Sequence, residues 1–104
     1  MIKVNVKQHL GQIKSISIKG HAGYADAGQD LVCAGVSSIG VGLLNALSEM
    51  CEDSFECSMN SGDIQINVLK TNEINQIILN TGIIQLLTME QSYNKYIKIT
   101  KTEV

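Results

Sequence analysis

The chain has 104 residues, 44% of them hydrophobic, which suits a single compact domain spanning residues 1–104. Its formal net charge of −2 provides no extended basic surface, so we expect no direct binding to nucleic acid. The three cysteines show no CxxC spacing and we predict no signal peptide, so we expect a reducing compartment, the cytoplasm.

The first 20 residues predict a β-hairpin. Apolar and polar side chains alternate over residues 2–6 and again over residues 16–18, as in two half-buried strands. A turn is predicted at residues 9–12, and the second strand ends at Gly20. Ile13 lies out of phase with the second strand, which predicts a β-bulge near it.

A loop and a long apolar helix follow. Residues 20–29 contain three glycines and three alanines and little to bury, which is typical of a mobile loop that can approach the backbone of a ligand. Asp30 then offers an N-cap for a helix over residues 31–51. The predicted packing face of this helix contains Val32, Val36, Ile39, Leu43, Leu47 and Met50.

The apolar helix raises the question of a membrane. Residues 31–48 carry no charge and reach the lower length limit of a transmembrane helix. The segment contains three glycines, and its flanks are acidic rather than basic or aromatic, so we expect no membrane span. A helix that is apolar around most of its circumference instead favours burial against a sheet or against a second copy of the chain. We therefore expect a homodimer.

The second half of the chain repeats the pattern of the first. Alternation over residues 55–59 and 64–68, on either side of turn residues 60–62, predicts a second hairpin. Thr71 or Asn72 can cap a helix that runs to about residue 91, and residues 97–99 indicate a last strand. The predicted packing face of this second helix contains Ile74, Ile77, Ile78, Ile84 and Leu87. The order ββαββαβ predicts an α+β fold, a two-layer sandwich with one β-sheet and both helices on one face.

Cys33 has the local sequence of a reactive cysteine. With Asp30 as the N-cap, Cys33 is the third residue of the helix, where backbone N–H groups are unpaired and the helix dipole favours a negative charge. A thiolate, the nucleophilic form, is stabilised at such a position. The unpaired N–H groups are also suited to bind the oxyanion of a tetrahedral intermediate. Cys51 and Cys57 lack this setting.

Two further side chains are placed to assist Cys33. His21 precedes it by twelve residues, at the start of a loop that can fold back over the helix, so its imidazole could accept the thiol proton. Ser37 follows one turn later on the same face of the helix and could donate a supporting hydrogen bond.

Each of these residues also has a structural interpretation. Cys33 could be an ordinary buried cysteine, His21 a turn residue, and Ser37 a small packing residue. Asp30 could be a helix cap without being the third member of a catalytic triad. A metal site made by His21, Cys33 and either Cys51 or Cys57 has no paired-ligand spacing to support it, so we expect no metal and no cofactor.

The motif that joins these residues resembles the signature of a known family. Gly20, His21 and Ala22, followed by Gly28 and by residues 30–37, resemble the signature of the bacterial ribosomal-processing cysteine protease Prp family. The resemblance is dense over residues 20–37 and thin elsewhere. It implies a homodimeric cytoplasmic endopeptidase that removes an N-terminal extension, after aromatic residues, from protein 27 of the bacterial large ribosomal subunit.

The resemblance also implies roles for individual residues. Cys33 would be the nucleophile and His21 the general base and later acid, with Asp30 and Ser37 in supporting roles. The loop that would close over the substrate peptide contains Gly20, Ala22, Gly23 and Gly28. Two other functions stay open at this point: a noncatalytic ribosome-associated dimeric binding module with Cys33 in its core, and a thiol enzyme of other chemistry, such as a small acyltransferase.

Overall fold

Five strands and two long helices follow one another in the predicted order ββαββαβ. A computed structural model describes residues 1–26 and 29–104 of the chain. The strands are β1 (Ile2–His9), β2 (Gln12–Lys19), β3 (Phe55–Asn60), β4 (Asp63–Val68) and β5 (Ile97–Glu103). The helices are α1 (Leu31–Cys51) and α2 (Glu73–Ser92), and a 3₁₀ turn (Glu52–Ser54) follows α1.

The strands form one sheet in the order β3-β4-β2-β1-β5. All neighbours are antiparallel except β1 and β5, which pair in parallel. The register of β1 and β2 shifts between Lys7 and Gln8, because Ile13 pairs with Gln8 while Ser15 pairs with Lys7. This bulge confirms the irregularity predicted near Ile13, and it brings Ile13 into the core, where it is 2% exposed.

One face of the sheet carries the core. In β1 the buried residues Ile2, Val4 and Val6 alternate with more exposed ones, and β2 and β4 follow the same pattern. Both helices therefore cover the same face, which confirms the predicted two-layer α+β sandwich. The core residues contributed by the helices include Val32, Val36, Leu43, Leu44, Leu47, Leu79, Ile83 and Leu86.

The packing face predicted for α2 is wrong for three of its five residues, whereas Ile78 and Leu87 are half-buried and pack against the core. The buried residues of this helix are Asn75, Leu79, Gly82, Ile83 and Leu86. The predicted residues Ile74, Ile77 and Ile84 are 46%, 60% and 63% exposed. The buried residues Leu79, Ile83 and Leu86 recur at helical spacing on one face, which leaves those isoleucines outward. Asn75 lies on the same face and is fully buried, and its side-chain amide donates to Ser54 Oγ and to the carbonyl of Lys70.

Helix α1 is long and apolar enough to cross a membrane by length and composition alone, since an 18-residue window within Leu31–Ser54 has a mean hydropathy of 1.7. The core helix of a soluble protein passes the same test. In this structure α1 buries one side in the core described above, although Met50, predicted on the packing face, is 60% exposed.

Candidate active site

The loop before α1 starts on the turn that joins β3 to β4. Gly20 ends β2 with a φ of +97°, and a Cβ there would lie 2.6 Å from the carbonyl oxygen of Met1, so no other residue fits without a shift. Its N–H donates to the carbonyl of Gly62 at 2.8 Å. The first loop residue after β2 is thereby attached to the second hairpin.

His21 rests against the same turn. Its side chain is exposed, and a Cβ on Gly62 would lie 2.8 Å from His21 Nε2. Gly62 has a φ of +71°, so a glycine serves both the turn and the space that the imidazole needs. The β3–β4 turn is therefore the support of the imidazole ring.

Asp30 joins the loop to the helix. It is the N-cap of α1, as predicted, and its Oδ1 accepts from the N–H of Cys33 at 2.9 Å. Its Oδ2 accepts from the N–H of Tyr24 at 3.0 Å and more weakly from that of Ala25 at 3.5 Å. No hydrogen bond joins Asp30 to His21 within residues 1–26 and 29–104, so the structure shows a cap and a loop attachment rather than a triad.

These donors change the acidity of Asp30. The N–H of Cys33 holds the pKa of the carboxyl below its ordinary value of 3.8, against the opposing effect of burial. The N–H groups of Tyr24 and Ala25 lower the pKa further, and the Cys33 side chain adds a smaller lowering. Asp30 is therefore a carboxylate at neutral pH, with a fixed negative charge at the start of α1.

Cys33 is half-buried in the first turn of α1, and its Sγ accepts a hydrogen bond from the backbone N–H of Ala22 at 3.2 Å. The prediction that the N–H groups of this turn are free for an oxyanion is wrong for Cys33, because Asp30 occupies its N–H. The N–H of Cys33, which the sequence pattern assigned to the oxyanion of a substrate, instead donates to the N-cap residue Asp30.

Two clefts meet at Cys33. The one we call the β4-side cleft has a volume of about 440 Å³ and includes apolar walls from Ile18, Val36, Val41, Met59 and Ile64. The loop-side cleft, of about 430 Å³, is lined by Gly23, Ala25, Asp30 and Ala34. His21, Cys33 and Ser37 line both clefts. The three predicted side chains therefore lie together at one place on the surface.

The described residues show no hydrogen bond between the His21 ring and Cys33 Sγ. The sulfur accepts instead from the backbone N–H of Ala22. The two groups share both clefts without being paired in this structure. Catalytic hydrogen bonds often tighten only when substrate binds.

Of the predicted substrate loop, Gly20, Ala22 and Gly23 are described, whereas Gly28 lies outside the described residues. Gly23 has a φ of +69°, and Ala22 is only 5% exposed. The expectation that the loop has little to bury is wrong for Ala22 but not for Tyr24, which is 42% exposed. The Tyr24 ring packs edge-on against the rings of Tyr93 and Tyr96, with centroid distances of 5.9 and 5.1 Å.

Sequence reasoning missed the parts of the site that come from distant elements. Met59 and Gly62 lie near Cys33 only because β4 pairs with β2. The turn composition around Gly62 predicted a hairpin and contained no signal for a support of His21. Within residues 1–26 and 29–104, no group of three His, Cys, Asp or Glu side chains is arranged to hold a metal ion.

The chain is similar to known proteins over most of its length. The family model for the cysteine protease Prp matches residues 1–98. The ribosomal processing cysteine protease Prp of Staphylococcus aureus (strain Mu50) is 32% identical over 92 residues, which are 86% of this chain and 87% of that protein.

Two crystal structures of the essential ribosomal processing protease Prp from S. aureus are also similar. One, with a covalently linked product peptide, has a TM-score of 0.90 and 30% identity. The other, with a substrate peptide, has a TM-score of 0.87 and 27% identity. Each comparison covers 98% of this chain and all of the S. aureus chain. The resemblance seen in residues 20–37 thus extends over the whole fold, and the chain belongs to the cysteine protease Prp family.

Proposed function

We propose that this cysteine protease removes the N-terminal extension from protein 27 of the large ribosomal subunit, in the cytoplasm, with residues 1–104 acting as one protease domain. The S. aureus relative is named for ribosomal processing and has been crystallised with a substrate peptide. The observation that carries the proposal is that His21 and Cys33 line the same two clefts, with Cys33 in the first turn of α1.

In the proposed mechanism Cys33 is the nucleophile and His21 the base. Sγ bonds to the carbonyl carbon of the scissile peptide while its proton passes to the His21 ring, and the carbonyl electron pair moves onto oxygen. The tetrahedral intermediate expels the amine, which takes the proton from His21, and leaves a thioester. Water then bonds to the thioester carbon while His21 takes its proton, the carbon–sulfur bond breaks to release the acid, and the proton returns from His21 to Sγ. These steps use no metal or cofactor.

His21 has to approach Sγ before the first step. Its exposed side chain, seated above Gly62, has the rotational freedom for this movement. Asp30 supports the reaction indirectly, because it holds the loop that carries His21 against the helix that carries Cys33. Ser37 lines both clefts and is suited to contact the peptide on either side of the cut.

The β4-side cleft is the better candidate for the aromatic residue that precedes the cut. Its lining includes five aliphatic side chains, and the Met59 side chain is 55% exposed at its edge. Methionine makes favourable contacts with aromatic rings. The loop-side cleft, which includes the Asp30 carboxylate, would then receive the residues after the cut.

We also propose a homodimer. Ile74, Ile77 and Ile84 of α2 form an apolar ridge beside a cleft of about 320 Å³ between the two helices. Apolar surface of this kind on a small protein marks an interaction site. Light scattering at micromolar concentration is expected to give twice the mass of the chain, and the double variant Ile77→Glu, Ile84→Glu to give the single mass. A single mass for the unmodified protein would contradict the dimer.

The protease activity is tested with a peptide that copies the ribosomal extension. We expect no cleavage by Cys33→Ala, and a loss of about 10²-fold or more for His21→Ala, the range of general acid–base catalysis. Cys57→Ala, a change at an exposed cysteine on β3, serves as the matched control and is expected to cleave normally. Undiminished cleavage by Cys33→Ala would exclude the mechanism.

Thiol alkylation separates the proposal from its alternatives. A nucleophile at Cys33 is expected to react faster than Cys51 and Cys57 near neutral pH, whereas a structural cysteine reacts only after unfolding. Fast labelling without peptide cleavage would indicate a thiol enzyme of other chemistry. Binding of the peptide with neither fast labelling of Cys33 nor cleavage would indicate a noncatalytic binding module.

A further inference from the structure

We infer that the backbone amide of Ala22 is a positioning group for Cys33: its N–H donates to Sγ and favours the thiolate over the thiol. The donor nitrogen lies 3.2 Å from the sulfur. The inference deepens the proposed function, in which Cys33 is the nucleophile, and it assigns a role to a main-chain group of the loop.

The sulfur depends on the N–H of Ala22 because the N–H of Cys33 itself already donates to another acceptor. The N–H of Cys33 donates to Asp30 Oδ1 at 2.9 Å, so the first turn does not present that group to the sulfur. A hydrogen bond to an ionised acceptor is stronger than one to a neutral acceptor. The N–H of Ala22 therefore stabilises the anionic sulfur more than the protonated one.

The Ala22 amide is held on both sides. Before it, the N–H of Gly20 donates to the carbonyl of Gly62 at 2.8 Å. After it, the N–H of Tyr24 donates to Asp30 Oδ2 at 3.0 Å, and the Ala22 side chain itself is buried. A donor fixed in this way does not have to reorient when charge develops on its acceptor.

The titratable residues around Cys33 make an uncharged hydrogen-bond donor more important for stabilising the thiolate. The titratable residues that line the two clefts with Cys33, among those the structure describes, are His21, Asp30 and Asp63. The Asp30 carboxylate, whose pKa is held below its ordinary value by the N–H of Cys33, disfavours a second anion nearby. The amide contributes a partial positive charge that does not change with pH.

The test removes the N–H and keeps the side chain. Cys33 is itself a ligation site, so a synthetic segment of residues 1–32 with lactic acid in place of Ala22 can be joined to residues 33–104. The matched control carries glycolic acid in place of Gly11, a residue of the β1–β2 turn with nothing within 4 Å of its Cβ position. The same ligation with ordinary amides gives the reference protein.

The rate of Cys33 alkylation by iodoacetamide is then measured against pH by peptide mapping. We expect the Ala22 ester to move the midpoint of the profile to higher pH by about one unit, which is about a tenfold slower reaction near neutral pH. The plateau at high pH, where the sulfur is fully ionised, should not fall, because a thiolate of higher pKa is at least as nucleophilic. An unmoved midpoint, or an equal shift in the Gly11 ester, would overturn the inference.

A second measurement needs no ester and covers the case in which the ester does not fold. In the native protein, the amide proton of Ala22 is followed by NMR as pH is raised. Its resonance is expected to shift through the midpoint of the Cys33 alkylation profile and to lose this response in Cys33→Ala. An amide proton that does not respond to Cys33 would overturn the inference.

These outcomes are distinct from those of the proposed function. Neither experiment uses a peptide. If the extension peptide is not cleaved while the Ala22-dependent shift is present, the proposed substrate fails and the role of the amide stands. If cleavage occurs with an unmoved midpoint, the proposed function stands and the amide has no such role.

Discussion

The substitution Gly62→Ala tests whether the β3–β4 turn supports the imidazole of His21, the proposed base. The new Cβ would lie 2.8 Å from His21 Nε2 and 3.0 Å from its Cε1, well inside ordinary van der Waals contact. The ring therefore has to move, and a displacement of a catalytic group by about 1 Å costs about 10²-fold in rate. The positive φ of the new alanine adds a loss of stability of about 1–2 kcal/mol.

The matched control separates these two effects. Gly11→Ala introduces an alanine at a similar φ, +79°, with nothing within 4 Å of the Cβ. We expect both variants to lose similar stability in thermal unfolding. Only Gly62→Ala should lose about 10²-fold in kcat/KM for the extension peptide. Equal kcat/KM values for the two variants would refute the view that Gly62 supports His21.

Three further predictions concern Asp30, Asn75 and Tyr24. The pKa of Asp30 is lower in the folded chain than its ordinary value of 3.8, so the carboxylate stabilises the fold above that pH, and its contribution is lost as pH falls through the lower, folded value. Asp30→Asn should therefore be less stable at neutral pH and lose less stability on acidification, measured by circular dichroism; the same acid dependence in both proteins would contradict this. Asn75→Ala leaves Ser54 Oγ and the Lys70 carbonyl without their donor and should lower the free energy of unfolding by about 2–3 kcal/mol in urea, with exposed Asn80→Ala nearly unchanged. Tyr24→Ala removes two edge-on ring contacts and should cost about 1–2 kcal/mol, whereas Tyr24→Phe, which keeps the ring, should match the parent protein; equal losses would show that the hydroxyl and not the ring matters.

Local sequence patterns were sufficient to predict most of the fold. The alternation in β1 and the cap at Asp30 predicted the strand and the start of α1, because both depend on neighbours within a few residues. The bulge near Ile13 could be predicted for the same reason, because it depends on the alternation within a few residues. The rotation of α2 could not be predicted, because apolar residues recur at helical spacing on more than one face of this helix. The structure buries the face that contains Leu79, Ile83 and Leu86, together with Asn75.

The sequence predicted the part of the candidate site whose side chains lie close together along the chain. His21, Asp30 and Cys33 lie within one short stretch, and the structure brings all three together. The donor to the sulfur and the support of the imidazole were not predictable, because one is a main-chain group of the loop and the other, Gly62, is brought there by strand pairing. Sequence patterns identify side chains and contain little information on which backbone groups face them.

The hydrogen bond between Gly20 and Gly62 gives the site an order of assembly. The His21 side of the site is attached to a turn that is synthesised much later than the His21 and Cys33 segment. During translation, a chain that ends before β4 contains both proposed catalytic side chains but lacks the surface on which one of them rests. We therefore expect proteolytic activity to emerge only after the second hairpin has docked, which would keep a partly made protease from cutting exposed chains around it.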